Sequence, residues 1–332
     1  MDLPLLWAFI IAFAVMAYVV LDGFDLGVGI LFPFLGAHGH RDTAMNSVAP
    51  IWDGNETWLI LGGGGLFAVF PLAYAVIMPA VYAPIIAMLL ALIFRGVAFE
   101  YRFKTVRGRW LWDVSFSFGS IVAAFAQGLC LGTLVQGIEV SNRAYAGGWF
   151  DWLTPFSAMT GAALVVGYAL LGATWLVMKT EGPVQEIARR HAFVAGVGTL
   201  LLMAAVSAWM PFLQPDFYWR WLSFPQILLV APVPLVTLFA AYALFRALAA
   251  GRHVRPFLCA QSLFLLAYVG LGITFFPNII PPSVTIWDAA APDESLRFLL
   301  VGASVLIPAI LVYTGFAYWV FRGKVADEGY HH

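Results

Sequence analysis

The sequence predicts an all-α integral membrane protein that crosses the bilayer nine times. Three observations carry this reading. Of the 332 residues, 62% are hydrophobic and only 11% are charged, whereas a soluble globular domain carries about 25% charged residues. Several apolar runs exceed the ~20 residues that a helix needs to span a bilayer. The runs are too long for barrel strands and show no strict alternation, so the spans are helical.

The expected spans are 5–35, 52–74, 76–99, 114–138, 155–179, 190–213, 223–247, 256–277 and 296–321. The first run lacks a basic leader and a small-residue cleavage site, and it outlasts the apolar core of a signal peptide. It therefore reads as a retained helix. Pro71 and Pro79 bracket a tight turn between spans two and three. The remaining connections are short. Residues 1–332 read as a single polytopic membrane domain.

Basic residues set the orientation. With the first loop cytoplasmic, one side receives 14 Lys and Arg, and the other receives only Arg143, Arg220 and Arg297. Positive charge stays inside. The N-terminus is thus expected outside (periplasmic) and the C-terminus in the cytoplasm, as an odd number of spans requires.

The net charge of −1 says nothing about nucleic acid, but no basic patch is interleaved with stacking aromatics, and no nucleic-acid partner is expected. Cys130 and Cys259 sit in apolar segments and read as core residues, not a disulfide. His38, His40, His253, His331 and His332 fall in loops or the tail, and His191 at a span edge. No metal or haem site is expected in this chain, and no P-loop is present. Any redox chemistry requires a metal on another subunit.

Acids interrupt this apolar background. Asp22 lies 17 residues beyond Leu5, or ~26 Å along a helix rising 1.5 Å per residue. That places Asp22 and Asp25 toward the cytoplasmic end of span one. Asp53 and Glu56 open span two on that side, and Glu100 ends span three there beside Arg95. Asp22 and Asp25 share one helix face. They read either as a proton relay, as carboxylates solvated at the headgroups, or as partners of basic residues in the first loop. Asp53 and Glu56 have capping-box spacing, which is compatible with a place on a proton path. Arg95 either snorkels or pairs with an acid. The GGGG run at 62–65 reads as a close helix contact, and Trp58 as an interface-belt residue.

The residues DGFDLGVG (22–29), NSVAPIWDGNETWLI (46–60), FRGVAFEYR (94–102), FPNIIPPS (276–283), TIWDA (285–289) and the final P-x-x-x-x-Y-T-x-x-x-Y-W (308–319) resemble subunit II of bacterial cytochrome bd-type quinol oxidases over nearly the whole chain. The resemblance implies nine helices in two four-helix bundles plus a peripheral helix. It implies a haem-bearing partner, subunit I, holding haem b and haem d, or haem b alone. A small single-span subunit and lipid complete the partners the family allows. The complex would oxidise quinol and reduce O2 to water, building a proton-motive force without pumping, in the bacterial inner membrane. The family's cytoplasmic proton path matches Asp53, with the DGFD acids at Asp22 and Asp25 and a less secure match at Glu100. The family's oxygen-access tryptophan matches Trp58. The connection of ~10 residues between spans six and seven fits the shorter, cyanide-insensitive subclass and disfavours the structural quinone that some relatives bind.

A proton-coupled secondary transporter is the competing reading, because membrane acids and glycine-rich spans suit it equally. It should show an inverted repeat and acids at the midplane. The sequence offers neither.

Overall fold

The computed structural model describes residues 2–36 and 38–325; His331 and His332 lie outside them. Helix α1 (Leu3–Leu31) starts on Asp2, whose carboxylate accepts the Leu5 N–H at 3.0 Å. It runs on through a 3-10 turn, Phe32–Leu35. The first connection contains a helix that was not expected, α2 (His38–Val48).

Where spans 52–74 and 76–99 were expected, three helices follow: α3 (Trp52–Val69), α4 (Pro71–Ala80) and α5 (Tyr82–Tyr101). Pro71 is the cause of the break. It lacks an N–H and disfavours helical geometry at the residue before it, and Phe70 sits at φ −124°, ψ 64°. Pro71 thus opens a helix, and Pro79 lies inside that helix; the expected tight turn between them does not form.

Helix α6 (Arg109–Gln136) leads to an antiparallel hairpin, β1 (Val140–Ser141) and β2 (Ala144–Tyr145). Helix α7 (Pro155–Lys179) has the expected bounds, and a Thr154/Ser157 capping box explains its start. Helix α8 (Gly182–Trp209) begins well before residue 190, so His191 lies within it and bonds the Ile187 carbonyl through Nδ1 at 2.9 Å. The next connection holds the short α9 (Pro215–Leu222). The span beyond it is divided at Pro232 into α10 (Gln226–Val230) and α11 (Pro232–Ala249). Helix α12 (Arg255–Phe275) is followed by β3 (Asn278–Ile280), β4 (Val284–Thr285), α13 (Ile286–Ala289) and α14 (Asp293–Val320). Thr285 and Asp288 form a capping box on α13, and the Thr285 hydroxyl and N–H hold the Asp288 carboxyl below the usual carboxylate range.

Among the described residues, eight stretches are long and apolar enough to cross a membrane: the α1 run to Leu35, α5, α6, α7, the α8 run to Phe212, Gln226–Ala249, α12 and α14. The expected second span, now α3, is not among them. Asp53, Asn55 and Glu56 crowd its first turns, and four glycines add little hydrophobicity to its middle.

Helix α1 is the hub and packs against α3, α6 and α7. Its contact with α7 is backbone to backbone. A Cβ on Gly27 would lie 1.8 Å from the Tyr168 carbonyl oxygen, and one on Gly172 would lie 2.2 Å from the Gly27 carbonyl carbon. The GGGG run is a close contact on one face only. A Cβ on Gly62 or Gly65 would meet Val15 or Ile11 of α1, while Gly63 and Gly64 face open space. Helix α14 is peripheral in packing: of its side chains only Leu296 is buried. Polar contacts tie its ends down. The Trp7 indole donates to the Leu296 carbonyl at 3.1 Å, and the Lys179 ammonium donates to the Phe321 and Gly323 carbonyls. Cys130 and Cys259 are free and half-buried.

Candidate functional site

Close approach of α1, α3, α5, α6 and α7 places a polar cluster inside the apolar interior. Asp22 and Asp25 are fully buried on α1, so neither is solvated at the headgroups. Arg95 of α5, also fully buried, settles its own alternative: it pairs instead of snorkelling. Its Nη1 lies 2.9 Å from Asp22 Oδ1 and donates to Glu56 Oε2 at 3.3 Å. The guanidinium sits beside the Trp52 and Phe99 rings, 5.9 and 5.8 Å from their centroids. Two carboxylates thus pair with one arginine, Asp22 sealed from water and Glu56 partly open to it, with Asp25 buried one turn along α1 from Asp22. Such a cluster is held by pairing, and loss of one partner leaves an uncompensated buried charge.

The five acids singled out from the sequence separate in space. Asp22, Asp25 and Glu56 converge. Glu56 is the half-exposed member, its side chain 26% accessible. Asp53 lies one turn earlier on α3 and is exposed. Its capping box with Glu56 is absent: the N-cap is Ile51 and no side chain caps the helix. Because the helix begins at Trp52, Asp53 falls inside the first turn and not at the cap. Glu100 does not join the cluster. It is exposed and pairs with Lys104 at 3.5 Å. Five residues separate it from Arg95, which turns it about 140° around the helix. Trp58 is 2% exposed and packs edge-on against Phe13 with centroids 5.8 Å apart, so it is a core residue and not part of an interface belt.

Uncharged polar residues that sequence reasoning passed over complete the site. Asn55 Nδ2 donates to Asp25 Oδ2 at 2.7 Å, and Asn55 Oδ1 accepts from the Tyr318 hydroxyl of α14 at 2.9 Å. The Tyr168 hydroxyl donates to Gln127 Oε1 at 2.8 Å, and Gln127 Nε2 donates to the Tyr18 hydroxyl at 2.7 Å. Tyr18 stands one turn from Asp22 on α1. The available signal was polarity inside apolar runs: Asn55 within the WDGN block and Gln127 deep in span four.

A second ionic cluster closes the same end of the molecule. Arg102, fully buried, bridges Asp42 at 2.7 Å and Asp113 at 2.5 Å. Arg41 also holds Asp113, and Arg109 holds Asp42. This network clamps α2 to the α5–α6 connection. Among the described residues, no group of three or more His, Cys, Asp or Glu side chains could hold a metal ion.

Fold and site together define a polytopic helical membrane protein with a carboxylate–arginine cluster buried toward its basic end. The chain belongs to the cytochrome bd terminal oxidase subunit II family, whose sequence model matches residues 3–321. It is 33% identical over 370 residues to the cytochrome bd-I ubiquinol oxidase subunit 2 of Escherichia coli (strain K12), covering 98% of this chain and 96% of that one. It is 30% identical over 343 residues to the cytochrome bd ubiquinol oxidase subunit 2 of Bacillus subtilis (strain 168), covering 97% of each. A solved bd oxidase structure from Geobacillus thermodenitrificans superposes with a TM-score of 0.74 over 94% of this chain and 98% of that one, at 16% identity, and shows the same fold. The chain is thus a multi-pass inner-membrane protein and a subunit of a bd-type quinol oxidase. Subunit II implies a partner, subunit I.

Proposed function

We propose that this chain is the non-haem subunit of the oxidase, pairs with and stabilises a haem-bearing subunit I, and supplies a cytoplasmic proton-uptake path to it. Haem b and haem d, or haem b alone, in subunit I would carry electrons from quinol to O2. In this reading the chain crosses nine times with α3 as the second crossing, in two four-helix bundles with α14 peripheral. The 18 residues of α3 give ~27 Å at 1.5 Å per residue, and α3 packs against α1. The N-terminus is periplasmic and the C-terminus cytoplasmic.

One observation carries the proton-path reading: the carboxylates are graded in exposure. Asp53 is open, Glu56 is partly covered, and Asp22 and Asp25 are sealed. A proton entering from the basic end meets Asp53 first, then Glu56 one turn inward, and then the buried pair around Arg95. Membrane carboxylates arranged in this way are costly, and they are expected where protons move. Reduction of O2 to water consumes protons, and uptake from the cytoplasm makes that step electrogenic without a pump. Asp53 also lies on the outward face of α3 with Thr57, Ile60, Gly64 and Phe67, all of them exposed to a partner. Subunit I is the occupant this reading assigns to that face. The transporter alternative is disfavoured, because the relatives are named as oxidase subunits and the acids gather toward one end.

The test is Asp53→Asn in the assembled complex. Oxidase turnover should fall at least tenfold while the haem spectrum stays intact. Loss of all haem with turnover would assign Asp53 to assembly, and unchanged turnover would remove it from the path.

A further inference from the structure

We propose that Tyr318, on the peripheral helix α14, is a positioning residue for Asp25 and acts through the side-chain amide of Asn55. The inference rests on the proton-uptake reading for its functional consequence, but its geometry stands alone.

Both ends of the Asn55 amide are occupied. Oδ1 accepts the Tyr318 O–H at 2.9 Å, and Nδ2 donates to Asp25 Oδ2 at 2.7 Å and faces the Leu21 carbonyl at 3.4 Å. An amide can turn over, exchanging its donor and acceptor ends. Tyr318, by donating to Oδ1, and the Leu21 carbonyl, by accepting from Nδ2, together favour the way it stands. With the phenol proton on Oδ1, the N–H end is turned toward Asp25, and an N–H there favours the ionised carboxylate. Turned over, the amide would present an oxygen to Asp25, which favours the protonated acid. Asp25 Oδ1 has no hydrogen-bond partner among the described residues, so the Asn55 contact is its principal polar bond. The charged and titratable groups facing Asp25 are Asp22 from α1, Arg95 from α5, Glu56 from α3 and, through Asn55, Tyr318 from α14. Of these helices, only α14 is scarcely packed, with one buried side chain. The seating of α14 therefore biases the protonation state of a carboxylate on another helix.

The experiment uses the detergent-purified complex with its partner subunit, in wild-type, Tyr318→Phe, Asp25→Asn and Asn55→Leu forms. Infrared spectroscopy reads the carboxylic-acid C=O band of Asp25, identified as the band that Asp25→Asn removes. At a pH where wild-type Asp25 is mostly ionised, Tyr318→Phe should raise the ratio of protonated to ionised Asp25 roughly tenfold, the effect of about one charge-assisted hydrogen bond. In the Asn55→Leu background the same substitution should add nothing. An Asp25 band equal in Tyr318→Phe and wild type, including none in either, overturns the proposal. So does a Tyr318→Phe effect that survives in Asn55→Leu. Should Asn55→Leu fail to assemble, the Tyr318→Phe band decides alone. Turnover separates the two readings. A shifted band with normal turnover in Asp25→Asn keeps the positioning role and removes Asp25 from proton uptake. A static band with arrested Asp25→Asn turnover does the reverse.

Discussion

Replacing Arg95 with Met removes the cation that pairs with Asp22 and Glu56 while keeping much of the side-chain volume. Its contact with Asp22 at 2.9 Å corresponds, at an effective dielectric of about 20, to roughly 6 kcal/mol of attraction. Desolvating the guanidinium costs several kcal/mol, so the pair contributes far less than its attraction alone. Deleting one partner is different, because Asp22 is fully buried and keeps no counter-charge. The expected destabilisation is about 3–5 kcal/mol. In a thermal scan of the complex in detergent, that lowers the midpoint by about 10 °C. Arg95→Met/Asp22→Asn should recover at least half of the loss, because the stranded charge is gone. The guanidinium contacts with the Trp52 and Phe99 rings are lost equally in both variants, so they cancel in the comparison of single with double. An Arg95→Met midpoint within about 2 °C of wild type would refute the reasoning. So would a double variant less stable than the single one.

Gly27→Ala should abolish assembly or cost more than about 4 kcal/mol, because its Cβ would sit 1.8 Å from the Tyr168 carbonyl oxygen; an assembled complex of normal thermal stability would contradict the backbone contact. Lys179→Met should loosen the end of α14 by removing donors to the Phe321 and Gly323 carbonyls. Tryptic cleavage at Arg322 or Lys324 would then quicken about tenfold, and an unchanged cleavage rate would mean the anchor lies elsewhere. The Asp288 carboxyl is held below its ordinary range by Thr285. Its contribution is present above the unfolded carboxylate pKa and is lost as pH falls through the lowered folded value. Acidification should therefore lower the protection of amides 285–289 relative to their intrinsic exchange rates in the wild type and have no such effect in Asp288→Asn.

Much of this protein is a property of the chain read locally. Apolar runs and their lengths determine the membrane class, and the bounds of α7 follow from its own residues. The bias of Lys and Arg along the sequence sets the expected orientation. The DGFD and WDGN blocks carry the family without any knowledge of contacts. Tertiary structure decided the rest, because it depends on helix rotation and on the distance between backbones. Glu100 and Arg95 are near neighbours in sequence, yet they face different surroundings. Trp58 was indistinguishable from a belt residue until α1 was laid against α3. The division at Phe70 was written in Pro71, but only the path of the chain shows that a helix, not a turn, follows it. The buried cluster itself was half legible. The acids announced themselves by their cost in an apolar run, whereas Asn55, Gln127 and Tyr318 did not, because an uncharged polar side chain in a membrane helix gives no sign of its partner. Gly27 and Gly172 bring α1 onto α7, and α3, α5 and α14 close around them. Carboxylates, arginine and amide become one network only at that separation, since hydrogen bonds and ion pairs act over a few ångströms and the residues that make them lie as much as 263 positions apart in the chain.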